Sequence, residues 1–139
     1  MTFTYSICHP DKQDIEYKLN PISGREILEI AEQYPWKEKL SLMSSMNEDA
    51  IHYSPSLNFT CIENEWSFGL TADTNNDDEL TFSLWYNRSK KVNILFGLLG
   101  SSHKMTVDDF WSLDLENSLL YLKHFVKGNY ALVEALYKS

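Results

Sequence analysis

The centre of the chain alternates between apolar and polar positions. Leu57, Phe59 and Cys61 alternate with Asn58 and Thr60, and Trp66, Phe68, Leu70 and Ala72 with Ser67, Gly69 and Thr71. Leu80, Phe82, Leu84 and Tyr86 alternate with Thr81, Ser83 and Trp85, and Val92, Ile94, Phe96 and Leu98 keep the same rule. Successive side chains of a strand point to opposite faces, so these runs, separated by polar turns, predict an antiparallel meander of four strands with one buried face. Parity sets the expected registers. A two-residue turn at Glu63 and Asn64 pairs Cys61 with Trp66 and Phe59 with Phe68. A loop over residues 73–79 pairs Ala72 with Leu80, and one over 87–91 pairs Tyr86 with Val92. A slip of one residue would turn an aromatic set to solvent.

The flanks change period. Residues 3–8 and 14–19 alternate around His9, Pro10, Asp11 and Lys12, which predicts an N-terminal edge hairpin. Ser23 is a good N-cap, and Glu26 three residues on completes a capping box. Ile27, Leu28, Ile30 and Ala31 then form an apolar stripe, and the helix ends before Pro35 because a residue preceding proline avoids the α region. Trp36, Leu40 and Met43 predict a second helix over 36–46, with a loop over 47–56. Thr106 with Asp109 reads as another capping box, and Leu115, Leu119, Leu122 and Val126 form one helical stripe. Gly128 suits the position just past a helix end, and Asn129 suits the start of a last helix to Tyr137. The expectation is one α+β domain over residues 1–139, with a meander sheet packed against N-terminal and C-terminal helices.

Composition narrows the class. The chain has 139 residues, 43% hydrophobic and 14% aromatic, enough apolar surface for an ordinary core. No apolar run approaches the roughly 20 residues that cross a bilayer, and the first eight residues lack a secretory pattern. Cys8 and Cys61 stand singly, as free thiols of a reducing compartment would. The predicted protein is cytoplasmic and monomeric or weakly associating.

Charge is the most uneven property. Between Leu40 and Asn87 there are eight acids (Glu48, Asp49, Glu63, Glu65, Asp73, Asp77, Asp78, Glu79) and no Lys or Arg. Residues 1–39 hold seven acids against five bases, and 88–139 hold five against seven. The net charge of −8 therefore resides in the central block. A field of one sign in one region steers a basic partner, and it disfavours nucleic acid, whose binders need clustered Lys and Arg.

No catalytic set stands out. Asp73, Asn75, Asp77 and Glu79 place oxygen ligands at alternate positions, as a calcium loop does, but position six is Asp78 instead of glycine and position twelve is Leu84 instead of glutamate. A solvated Asx turn explains the same residues. Gly97, Gly100, Ser101, Ser102, His103 and Lys104 do not match the spacing of a phosphate-binding loop, and a serine beside its histidine is poor geometry for a triad. His9, His52, His103 and His124 are scattered without metal-ligand spacing. The abundant carboxylates sit in turns, where little desolvates them for general-acid work. No cofactor or metal is expected. Trp85 differs from the other aromatic residues, because it falls on the face opposite Phe82, Leu84 and Tyr86, as an anchor for a partner would. Coverage of that face by the N-terminal hairpin or the Trp36 segment is the alternative.

In size, in the one-sided charge of Glu63 through Glu79 and in its small α+β build, the chain resembles the immunity proteins of bacterial contact-dependent and other polymorphic toxin systems. That resemblance implies a binding protein, not an enzyme, that neutralises a cognate toxin domain, often a basic nuclease. The expected binding residues are Asp73, Asn75, Asp77, Asp78 and Glu79, at the end of the meander shared with a loop over 100–104, with Glu63 and Glu65 at the opposite end and Trp85 on the adjoining face. The rival expectation is an enzyme or small-ligand binder with a pocket between the sheet and the C-terminal helix.

Overall fold

A computed structural model of the chain describes residues 1–93 and 101–138. Strands β1 (Thr2–Cys8) and β2 (Glu16–Ser23) form the N-terminal hairpin, followed by helices α1 (Gly24–Gln33) and α2 (Trp36–Ser45). A short 3-10 helix over Glu48–Ala50 leads into β3 (Ser56–Cys61), β4 (Ser67–Thr74), β5 (Leu80–Asn93) and β6 (Ser101–Leu113). Helices α3 (Leu115–Val126) and α4 (Tyr130–Lys138) close the chain. The six strands form one sheet in the order β2-β1-β3-β4-β5-β6, with every neighbouring pair antiparallel.

All four helices contribute to one core against a single face of the sheet. Ile27 and Ala31 of α1, Trp36 and Leu40 of α2, Leu122 and Phe125 of α3, and Val133 and Leu136 of α4 are buried with Phe59, Phe68, Leu84 and Tyr86. Phe125 is the central ring, with centroids 5.6 Å from Phe68, 6.1 Å from Phe3 and 6.3 Å from Tyr86. The other face carries the alternate residues. One row across it reads Tyr17, Ser6, Asn58, Gly69, Trp85. Gly69 keeps this row flat, because a Cβ there would lie 2.9 Å from Asn58 Oδ1.

Local signals act where the sequence places them. Ser23 Oγ accepts a hydrogen bond from the Glu26 amide at 3.2 Å and donates to Glu26 Oε1 at 3.2 Å, so the capping box starts α1. Tyr34 ends that helix in extended conformation ahead of Pro35. Phe59 pairs with Phe68, as parity predicts. Gly128 takes a φ of 77° after α3. Cys8 and Cys61 are free thiols opposite Ser56 and Phe3 respectively, and burial raises the pKa of both.

The α+β class and the antiparallel pairing stand, while the predicted arrangement of the meander needs correction. Ala72 pairs with Phe82, and Leu80 with Thr74, a shift of two residues that keeps every side chain on its expected face. Residues 87–91 are not a turn but part of a 14-residue β5, so Tyr86 lies opposite Phe68 and Asp108 rather than Val92. Of the strand expected over 92–98, Val92 and Asn93 belong to β5 and the rest lies outside the described residues. Ser101 to Lys104, expected in a loop, open β6.

Thr106 and Asp109 do not cap a helix, because both lie inside β6. The T-x-x-D spacing is shared by strands, and Thr106, Val107, Phe110 and Trp111 are strand-favouring residues that gain a ladder with β5. The real helix start is Asp114, whose Oδ1 accepts from the Asn117 amide at 2.9 Å. A bulge opposite Phe82 and Leu84, with Ser112 at a φ of 68°, bends β6 before this helix.

Candidate partner-binding pole

Register decides which loops meet. Cys8 pairs with Ser56, Ser56 with Thr71, and Thr71 with Ser83, forming one row across four strands. Beyond this row the chain leaves β1 into residues 9–15, enters β3 from residues 46–55 and leaves β4 into residues 75–79. All three connections therefore emerge at the same end of the sheet. Backbone bonds join them, with the His52 amide donating to Pro10 O at 2.9 Å and the Ala72 amide to Pro55 O at 2.9 Å. The Tyr53 hydroxyl adds a bond to Gln13 O at 3.1 Å.

This end collects eight carboxylates from three stretches of sequence. Asp73 comes from the end of β4, Asp77, Asp78 and Glu79 from the β4–β5 turn, Glu48 and Asp49 from the 3-10 helix, and Asp11 and Asp14 from the β1–β2 turn, all exposed. Lys12 is the one Lys or Arg in these connecting loops. Two lysines of α2 adjoin the pole. Lys37 lines an open groove of about 280 Å³ with Asp78, Leu40 and Leu80, and Lys39 Nζ lies 3.2 Å from His9 Nδ1. The sequence reading missed Asp11 and Asp14, because nothing local announces that β1 lies beside β3.

The β4–β5 turn organises itself. Asn75 Oδ1 accepts from the amides of Asp77 at 2.9 Å and Glu79 at 3.0 Å, and the Asn75 amide donates to Glu79 O at 3.0 Å. Asp78 adopts a φ of 58°, a conformation Asp tolerates better than most residues. Asn75 thus shapes the loop, while Asp77, Asp78 and Glu79 project from it. Its side-chain oxygen is committed to two amides, as in an Asx turn. Among the described residues, no group of three or more His, Cys, Asp or Glu is placed to hold a metal ion.

Glu63 and Glu65 do not join this pole. They lie in the β3–β4 turn at the opposite end, one strand length of roughly 25 Å away. Glu63 has a structural task as well. Its carboxylate accepts from the Thr2 amide at 2.9 and 3.2 Å, from Thr2 Oγ1 at 3.0 Å and from Cys61 Sγ at 3.3 Å. The Thr2 amide is the largest influence holding the Glu63 pKa down at about 2. Glu65 takes a φ of 63°, and Asn64 beside it bonds the Tyr130 hydroxyl of α4 at 3.0 Å. This turn fastens β1 and α4 to the sheet.

Trp85 lies on the face away from the core, half-buried, with Nε1 donating to Thr71 Oγ1 at 3.0 Å. The Trp36 segment does not cover it, since Trp36 is buried in the core with its ring 4.9 Å from Phe82. The N-terminal hairpin does not cover it either, because β1 and β2 extend the sheet in its own plane. The space between the sheet and α3, where a ligand pocket is the rival expectation, is filled by Phe125 and its neighbours. No described helix is long and apolar enough to cross a membrane. The chain matches no protein-family model, no curated protein and no solved structure, so the reading of this pole rests on its geometry and charge.

Proposed function

We propose that this chain is a binding protein of the immunity type, which neutralises a cognate basic toxin domain by presenting the acidic pole to it. The observation that carries the reading is the convergence of eight exposed carboxylates, drawn from three separate stretches of chain, at one end of a registered sheet. Carboxylates on such a surface stand in for substrate phosphates and pair with Lys and Arg of the partner. They also accelerate encounter through a directed field, which is strongest at low ionic strength. The sheet holds the loop bases at fixed spacing, so little ordering entropy is lost on binding. In this reading Glu63 and Glu65 serve the fold, and Trp85 adds an aromatic contact on the adjoining sheet face.

The test is capture of the protein encoded immediately upstream, followed by growth of cells expressing that protein with and without this chain. Binding together with restored growth supports the proposal. Absence of both rejects it. With a partner in hand, Asp77→Lys combined with Asp78→Lys slows association about tenfold or more at low salt, while the thermal melt stays near that of the wild type. Unchanged association kinetics would place the site elsewhere on the molecule.

A further inference from the structure

Two strands edge the sheet, β2 and β6, and β2 has a sequence that is complementary to its own reverse. Among the described residues, strand β2 has β1 on one side and no strand on the other. Its residues are largely exposed, with Tyr17 at 64% and Leu19 at 70%. Tyr17 shares the open face with Ser6, whereas Glu16 and Lys18 share the helix-side face with Ile7 and Tyr5. An edge of this kind offers unpaired backbone donors and acceptors to any strand that can lie beside it.

We propose that β2 pairs antiparallel with β2 of a second copy, about a two-fold axis through Tyr17. Two identical strands related by a two-fold perpendicular to the sheet keep the same faces up, so the axis must pass through a residue and not between residues. An axis at Glu16 sets two glutamates opposite each other, and one at Lys18 sets two lysines opposite each other. With the axis at Tyr17, Glu16 of each copy faces Lys18 of the other, twice, on the helix side. On the open face Tyr17 meets Tyr17, and Leu19 meets Ile15. The run Ile15-Glu16-Tyr17-Lys18-Leu19 is thus complementary to its own reverse in charge and in apolar pattern.

The molecule's charge restricts which arrangement two copies can adopt. A net charge of −8 opposes self-association when like regions approach. Antiparallel edge pairing points the two acidic poles in opposite directions, with Asp14 of each copy beside Asn20 of the other and the carboxylates of the β4–β5 turn away from the paired strands. Growth beyond two copies is blocked, since the interface is the same patch on each copy. The irregularity opposite Phe3 and Tyr5, with Pro21 in that stretch, limits the pairing to about five residues and makes the dimer weak and concentration-dependent.

Sedimentation of the full chain, from low micromolar to about 1 mM, reads the dimer directly. Lys18→Glu sets two glutamate pairs opposite each other and weakens the dimer about tenfold or more, as does Glu16→Lys. The combined Glu16→Lys, Lys18→Glu chain restores opposite charges and regains most of the affinity. Circular dichroism verifies the fold of each. Because Glu16 also contacts His9 at 3.1 Å and Lys18 of its own strand at 3.0 Å, contacts that the charge variants disturb as well, Leu19→Lys serves as a second disruptive variant, on the other face and at a site already exposed. Three outcomes overturn the proposal: a wild-type chain that stays monomeric throughout, a Lys18→Glu chain that associates like the wild type, or a charge-swapped chain that fails to recover.

Discussion

Two side chains show how single contacts hold this fold. Trp36 is 3% exposed, sets its ring edge-on to Phe82 and donates from Nε1 to Ala31 O at 2.9 Å. That carbonyl lies in the last turn of α1, where acceptors lack intrahelical partners, so one indole both fills the core and satisfies a helix end. Trp36→Ala should cost about 3–5 kcal/mol in denaturant unfolding. Glu63 acts through charge. Its folded pKa of about 2 lies below the ordinary 4.5, chiefly because the Thr2 amide donates to the ionised form. A depressed carboxylate pKa contributes stability that is fully present above about pH 4.5 and lost as pH falls through about 2. Glu63→Gln should therefore shrink the difference in melting temperature between pH 5 and about pH 2, relative to wild type. A wild-type-like pH dependence in that variant would show that the Thr2 contact does not form in solution.

At the scale of elements, the helix pair α1–α3 approaches closely at one residue. A Cβ on Gly24 would fall on Val126 Cγ1 and lie 3.7 Å from Phe3 Cε2. Gly24→Ala gains helix propensity of up to about 1 kcal/mol, yet overpacking of this kind costs about 1–3 kcal/mol, so the net effect is destabilising. Adding Val126→Ala should recover part of the loss by making room, which a chemical denaturation cycle measures. The caps are separable from this packing. Ser23→Ala and Asp114→Ala each remove one side-chain bond to an orphan amide and should cost about 1 kcal/mol.

At the scale of the whole molecule, the sheet sorts charge into poles that the linear order conceals. Asp11 and Asp14 are more than sixty positions from Asp77 in sequence and share its end of the sheet, while Glu65, much nearer in sequence, lies at the other. If the acidic pole is the recognition surface, Asp11→Lys with Asp14→Lys should slow association with the partner to an extent comparable with the Asp77, Asp78 pair. Glu65→Lys should leave the rate nearly unchanged. Stopped-flow association at two ionic strengths separates these cases, because a steered rate falls with salt and an unsteered one does not.

What the sequence alone determined is what neighbours along the chain decide. Ser23 and Glu26 start α1, Pro35 ends it, and the short turn after Cys61 brings Phe59 opposite Phe68, each through atoms a few residues apart. Period two also assigned faces correctly through a register error of two, since parity survives an even shift. The tertiary structure decided the rest. Residues 87–91 are polar enough for a turn and Thr106 is spaced like a cap, yet the pairing of β5 with β6 makes both of them ladder. The placement of β1 beside β3 likewise has no local signature, because it depends on hydrogen bonds and ring packing between segments some fifty residues apart. That placement draws three loops into one acidic pole and leaves β2 as an open edge.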